Sequence, residues 1–257
     1  MSIMIENKID IYNVFELRSK TTCYFGVGAI NKIKEISDAL KGLGINKVIV
    51  ITDEIAYKVT GAWEAIEPVF VEKGIDYIIY TKVTPNPTVE QIDEATKIGK
   101  EFGATAVIGI GGGSPIDVAK SVAILIEYKD KNATELYEQK FIPEKAVPII
   151  AINTTHGTGT EVDRFAVASI LDKHYKPAIA YDCIYPMFAI DDPQLMKTLP
   201  YNQTKFTSID AINHVTEAAT TLVASPYSIL LAKETIRLIT KYLPQALAHP
   251  DDLFARY

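Results

Sequence analysis

From residue 24 to residue 191 the chain alternates short, β-rich apolar runs with longer stretches whose apolar residues recur every three or four positions, the pattern of successive βα units. The runs predict strands at 47–52, 77–81, 105–110 and 147–152, and the periodic stretches predict helices at 29–43, 62–73, 89–102 and 116–127. The fold class that follows is α/β, with a parallel, doubly wound sheet. Beyond the turn-like Asp191-Asp192-Pro193 the texture changes, because residues 195–257 hold no convincing strand and read as helices at 201–222, 226–242 and 251–257. A boundary near Asp192 is expected, separating an α/β domain (1–191) from the start of an all-helical domain (192–257). Some sixty residues make a thin bundle and the last segment stops without a cap, so the helical domain is expected to be incomplete.

Composition excludes several function classes. At 257 residues with 48% hydrophobic and 23% charged side chains, the chain can bury a real core and is neither disordered nor fibrous. Twenty-six basic against thirty-two acidic side chains give a net charge of -6, which offers no positive field to phosphate backbones and argues against a nucleic-acid partner. Cys23 and Cys183 are far apart and in no metal or redox spacing, which reads as a reducing cytoplasm. Residues 1–10 mix Glu6, Lys8 and Asp10 among apolar side chains, without the look of an export signal. No run approaches the roughly 18 apolar residues of a membrane span, so no membrane partner is expected.

The stretch richest in chemistry is Gly111-Gly112-Gly113-Ser114-Pro115-Ile116-Asp117, which directly follows the strand ending at Ile110. Three glycines let the backbone approach a ligand, Ser114 suits an N-cap, Pro115 suits a first helical turn, and the amides beyond point outward with the helix dipole behind them. That makes an anion seat; the bland alternative is a tight turn without a ligand, with Asp117 merely stabilising the helix dipole. The spacing is not G-x-G-x-x-G, and the loop follows the third predicted strand rather than the first. Asp53, at the carboxyl end of the strand 47–52, can accept from adenosine ribose hydroxyls and repel an extra phosphate, favouring NAD over NADP, or can simply cap the next helix.

A second polar loop, Asn153-Thr154-Thr155-His156-Gly157-Thr158-Gly159-Thr160-Glu161, follows the strand at 147–152, and Asn86-Pro87-Thr88 follows the strand at 77–81. Together they predict a row of polar carboxyl ends along one sheet edge, where open α/β sheets bind ligands. In the helical part, Asp210 and His214 are four residues apart on one helix face and can converge on one divalent ion, or can pair with each other or stay solvated. His174 falls in a hairpin, and His174 and His249 read as exposed side chains. No nucleophile with its base is legible, no general base can be named, and hydrolysis has no support.

These blocks, taken in order with Tyr24-Phe25-Gly26-Val27-Gly28-Ala29, Asp191-Asp192-Pro193 and Asp210-Ala211-Ile212-Asn213-His214, resemble the iron-containing (group III) alcohol dehydrogenases across nearly the whole chain. The resemblance implies a Rossmann-like dinucleotide-binding domain, a helical domain and an active site between them. It implies cofactor contacts from Asp53, Asn86, Gly111, Gly112, Gly113, Ser114, Asp117, Thr154, Thr155, Thr158 and Lys176, and metal ligation by Asp210 and His214. The implied ion is iron(II), with zinc as the alternative, completed by two histidines further along than this sequence runs. The implied reaction is reversible oxidation of a small primary alcohol to its aldehyde with hydride transfer to NAD, NADP being the alternative cofactor. Glycerol or polyol dehydrogenation, and a non-catalytic dinucleotide-binding role, are the rival readings. A homodimer is implied by resemblance only. His156 stands where the family loop commonly has a small residue, implying a narrower or more polar pocket.

Overall fold

The computed structural model describes residue 14 and residues 17–257; residues 1–10, read above for an export signal, lie outside the described residues. Among the described residues eight strands form: β1 (Thr22–Phe25), β2 (Lys47–Ile51), β3 (Asp76–Tyr80), β4 (Ala106–Gly111), β5 (Ile149–Asn153), β6 (Phe165–Val167), β7 (Ala178–Ala180) and β8 (Phe188–Asp191). The helices are α1 (Ile33–Gly42), α2 (Ala56–Val59), α3 (Ala62–Lys73), α4 (Val89–Phe102), α5 (Gly113–Glu127), α6 (Ala133–Tyr137), α7 (Tyr201–Thr220), α8 (Pro226–Ala248) and α9 (Leu253–Arg256). Six strands pair in parallel in the order β1-β8-β5-β4-β2-β3, while β6 and β7 form a separate antiparallel hairpin.

The sheet is doubly wound, as expected. β4 and β5 are buried along their whole length, because each has a strand on both sides and a helical layer on both faces. One face carries α1 and α3 through Ile36, Leu40, Ile66 and Phe70; the other carries α4, α5, α6 and the β6–β7 hairpin through Ile92, Val118, Leu136 and Ile179. The four predicted strands form within one or two residues of their expected bounds, and α3 and α4 match theirs. Thr88 opens α4 with a reciprocal capping box to Gln91, and left-handed Gly103 closes it.

Three expectations need correction. The stretch predicted as one helix at 29–43 begins as a 3-10 turn, Ala29–Lys32, before α1. Two strands of the parallel sheet were not predicted: β1, an edge strand of four residues with three exposed, and β8, which pairs with β5 and β1; β6 and β7 had no predicted bounds either, beyond the hairpin expected around His174. β1 and β8 are too short for the alternation test, and β1 makes the glycine loop follow the fourth strand rather than the third. The helix after that loop starts at Gly113 rather than Ile116, with Gly112 as its N-cap and no side-chain cap, so Ser114 is the second helical residue instead of the cap.

Past β8, Asp192 is fully buried; its Oδ2 accepts from Ile30 N at 3.0 Å and its Oδ1 from Gln194 N at 2.9 Å. Helices α7 and α8 pack on each other and leave Phe206, Ile209, Leu230 and Leu231 exposed. No described helix is long and apolar enough to cross a membrane. Replacing Ile108, fully buried in the central strand β4, by Ala is expected to lower unfolding free energy by about 2–5 kcal/mol, read from the denaturant midpoint.

Candidate functional site: a cofactor cleft and a metal-ligand pair

β2 leads on to α3 on one face and β4 leads into α5 on the other, so a crevice opens between adjacent strands whose connections part. In doubly wound sheets such a switch point is where ligands sit. Asp53 flanks it after β2, Gly111–Ser114 after β4, and the threonine loop comes next because β5 pairs with β4, with Gly111 opposite Asn153.

The glycines serve the protein's own packing as well as any ligand. Gly111 has φ +146, and a Cβ there would lie 2.6 Å from Pro115 Cγ. A Cβ on Gly112 would lie 2.9 Å from Thr155 Cγ2, and one on Gly113 3.1 Å from Thr158 Cγ2. The threonine loop therefore rests against the start of α5, tied to the glycine turn by Thr154 N donating to Gly111 O at 2.9 Å and turned on itself by Thr155 N donating to Asn153 Oδ1 at 3.1 Å. The first turn of α5 has no side-chain cap, which leaves its amides suited to an anion.

Asp117 faces the protein. Its Oδ1 accepts from Thr160 Oγ1 at 2.6 Å and its Oδ2 from Val167 N at 3.0 Å, and burial pushes the carboxyl up to about 6. One turn on, the fully buried Lys120 donates to Thr160 Oγ1 at 2.9 Å, Asp163 Oδ1 at 2.7 Å and Phe165 O at 2.7 Å, so all three ammonium protons are used. This brace was not read from the sequence; its one signal is a lysine three residues after an aspartate in an otherwise apolar helix. Glu161 was missed too. It is 7% exposed, its Oε2 has no hydrogen-bond partner, and burial together with the charge of Asp191 pushes its carboxyl up to about 8.

Asp53 Oδ1 accepts from Ile55 N at 2.8 Å and Ala56 N at 2.6 Å, so this oxygen holds the turn into α2, whose N-cap position is Ile55. Asn86 takes a left-handed φ of 56 and its Oδ1 accepts from Lys176 Nζ at 2.6 Å, which brings together two exposed residues ninety apart in sequence. His174 lies in the hairpin connection, where Ile170 bridges Tyr175. His156 is held in the threonine loop: Arg256 Nη1 is 3.3 Å from its Nε2 and Ser208 Oγ 3.3 Å from its Nδ1. Burial and the Arg256 charge push this imidazole down to about 4.

Asp210 and His214 lie on one face of α7 with Oδ2 and Nε2 3.3 Å apart, both about half exposed. One carboxylate oxygen and one imidazole nitrogen fit a divalent cation as two of its ligands. Among the described residues no group of three or more His, Cys, Asp or Glu could hold an ion, so the pair is a partial donor set.

The family model described as iron-containing alcohol dehydrogenase matches residues 20–193, and that of the Fe-containing alcohol dehydrogenase family C-terminal region matches residues 204–257. The chain belongs to the iron-containing alcohol dehydrogenase family. It is 67% identical over 254 residues to the long-chain primary alcohol dehydrogenase AdhA of Thermoanaerobacter ethanolicus, covering 99% of this chain and 64% of that protein. Among solved structures it is similar to NADH-dependent butanol dehydrogenase A of Thermotoga maritima, with a TM-score of 0.88 and 32% identity over 95% of this chain and 60% of that one. It is also similar to sulfoacetaldehyde reductase of Bifidobacterium kashiwanohense in complex with NAD+, with a TM-score of 0.86 and 28% identity over 95% of this chain and 63% of that one. The chain thus spans about three fifths of the length of these relatives.

The raised Glu161 carboxyl sets a pH dependence. Its folded value lies above the usual carboxylate range, so the native state holds a proton that the unfolded chain has lost; its stabilising effect is complete below about 4.5 and gone above about 8. Glu161→Gln, which removes that ionisation, is expected to gain stability over the parent by about 2 kcal/mol at pH 8.5 and far less at pH 5, read from denaturant unfolding at both pH values.

Proposed function

We propose that this chain carries the dinucleotide-binding domain, residues 1–191, and the start of the metal-binding helical domain, residues 192–257, of an alcohol dehydrogenase. The observation that carries the reading is the placement of Asp53, the Gly111–Ser114 turn and the Asn153–Thr160 loop on three adjacent strand ends at the switch point. The enzyme reversibly oxidises a primary alcohol to its aldehyde, a reading supported by relatives named as a long-chain primary alcohol dehydrogenase and a butanol dehydrogenase. NAD is the cofactor and iron(II) or zinc the ion; the protein works as a cytoplasmic homodimer.

In this reading Asp53 meets the adenosine ribose with the carboxylate oxygen that does not hold the turn into α2 and disfavours a 2′-phosphate. The uncapped amides at Gly113 and Ser114 receive the pyrophosphate. Thr154, Thr155 and Thr158 line the nicotinamide side, Asp117 and Lys120 hold that loop in place, and Asn86 with Lys176 closes the rim. Asp210 and His214 contribute a carboxylate and an imidazole to the ion, whose chemistry when bound is Lewis-acid polarisation of the substrate oxygen. Exclusion of water from the cleft keeps the transferred hydride from competing reactions.

Calorimetric titration of the chain with NADH and with NADPH tests the cofactor half. NADH is expected to bind at least about tenfold more tightly, and Asp53→Ala to erase most of that preference; equal affinities would overturn the NAD assignment. In the whole protein, His214→Ala is expected to abolish alcohol turnover while NADH affinity stays within about twofold; undiminished turnover would remove His214 from the metal site.

A further inference from the structure

The histidine in the threonine loop has a donor and an acceptor fixed by its neighbours. The Arg256 guanidinium has only donors, so Nη1 donates to His156 Nε2 at 3.3 Å and that nitrogen carries no proton. The one Ser208 hydroxyl proton goes to Thr204 O at 2.8 Å, which leaves the Ser208 oxygen, 3.3 Å from Nδ1, to accept. His156 is therefore the neutral Nδ1–H tautomer. Arg256 Nη1 also donates to Thr204 Oγ1 at 3.1 Å and its Nε to Pro250 O at 3.0 Å, and this buried guanidinium forms no ion pair among the described residues. Beside the imidazole, Gly157 at φ +140 lies so close to α7 that a Cβ would stand 2.1 Å from Thr207 O.

We propose that His156 is a positioning residue that clasps the Asn153–Glu161 loop to α7 and α9, and so sets the separation between the cofactor loop and the helix bearing Asp210 and His214. A small side chain at 156 could reach neither Ser208 nor Arg256, and the contact between this loop and α7 would then rest on the close approach of Gly157 to Thr207. The clasp acts on the nicotinamide half of the cleft, since Asp53 and the adenosine half lie across β4 from it. In that consequence the proposal rests on the cofactor reading above.

The test compares the chain with His156→Ala and Arg256→Met by amide hydrogen exchange and by titration with NADH and ADP. Exchange at 153–161 and at 201–212 is expected to quicken together by at least about tenfold in both variants, with β2 and β4 unchanged. NADH affinity is expected to fall by about fivefold or more in His156→Ala while ADP affinity holds, a split that general loosening would not produce. Imidazole nitrogen NMR at pH 7 is expected to show an Nδ1–H tautomer for His156 that is lost in Arg256→Met. Unchanged or uniformly raised exchange, an Nε2–H tautomer, or equal loss of NADH and ADP binding would overturn the clasp. If the parent chain binds neither nucleotide, the cofactor reading fails, and exchange with the tautomer alone decides the clasp.

Discussion

A buried ammonium, that of Lys120, organises the cleft. A lysine charge removed from water costs several kcal/mol unless every proton finds an acceptor. Here the acceptors come from Thr160, Asp163 and the backbone of Phe165, so the desolvation of one residue on α5 fixes the path of the chain from the end of the threonine loop into the β6–β7 hairpin. Asp117, a turn earlier, grips the same hydroxyl of Thr160 and the amide of Val167. Because the loop is held at this end, Thr155 and Thr158 can rest on Gly112 and Gly113, and that contact is what excludes a side chain at those two positions. The glycine run is thus set by the loop that packs on it as much as by any ligand.

Much of this was legible in the sequence, and the limits have physical causes. Period-3.6 stretches placed α3 and α4 because their apolar stripes are long and their ends carry Thr88, Gly74 and Gly103. β1 and β8 escaped because four-residue strands do not complete a readable period. Polar strand ends were visible at Asp53, Gly111 and Asn153, but their adjacency depends on strand order, which local sequence does not encode. Ser114 was misplaced by two positions because Gly112 takes the N-cap conformation itself. Lys120, Glu161 and Arg256 were invisible as site residues, since a charged side chain in sequence looks solvated and only the fold buries it. The family resemblance supplied roles for residues such as Lys176, for which spacing offered no argument.

The charges beneath the cleft are arranged unequally. Glu161 and Asp191 approach each other under the ends of β5 and β8, with Asn153 Nδ2 donating to one oxygen of Asp191 at 2.8 Å and Cys23 Sγ to the other at 3.3 Å. Burial pushes both carboxyls up; at Asp191 the two donors oppose that push, whereas Glu161 Oε2 has no hydrogen-bond partner. Glu161, whose carboxyl is pushed up by burial, and His156, whose imidazole is pushed down by burial, flank a loop beside two cations that are both buried and engaged, Lys120 and Arg256.

The pairing of β1 with β8 and the bond from Ile30 to Asp192, 162 residues apart, also carry a consequence for the newborn chain. Strands β2 to β5 can assemble from neighbours as they leave the ribosome, whereas β1, made before them, finds its partner among the described strands only when β8 arrives. At synthesis rates of about 5–20 residues per second, that wait lasts on the order of ten seconds. During it β1 is unpaired, and in order of synthesis the sheet extends from the β2–β3 edge across β4, β5 and β8, so that the first-made of the six strands docks last.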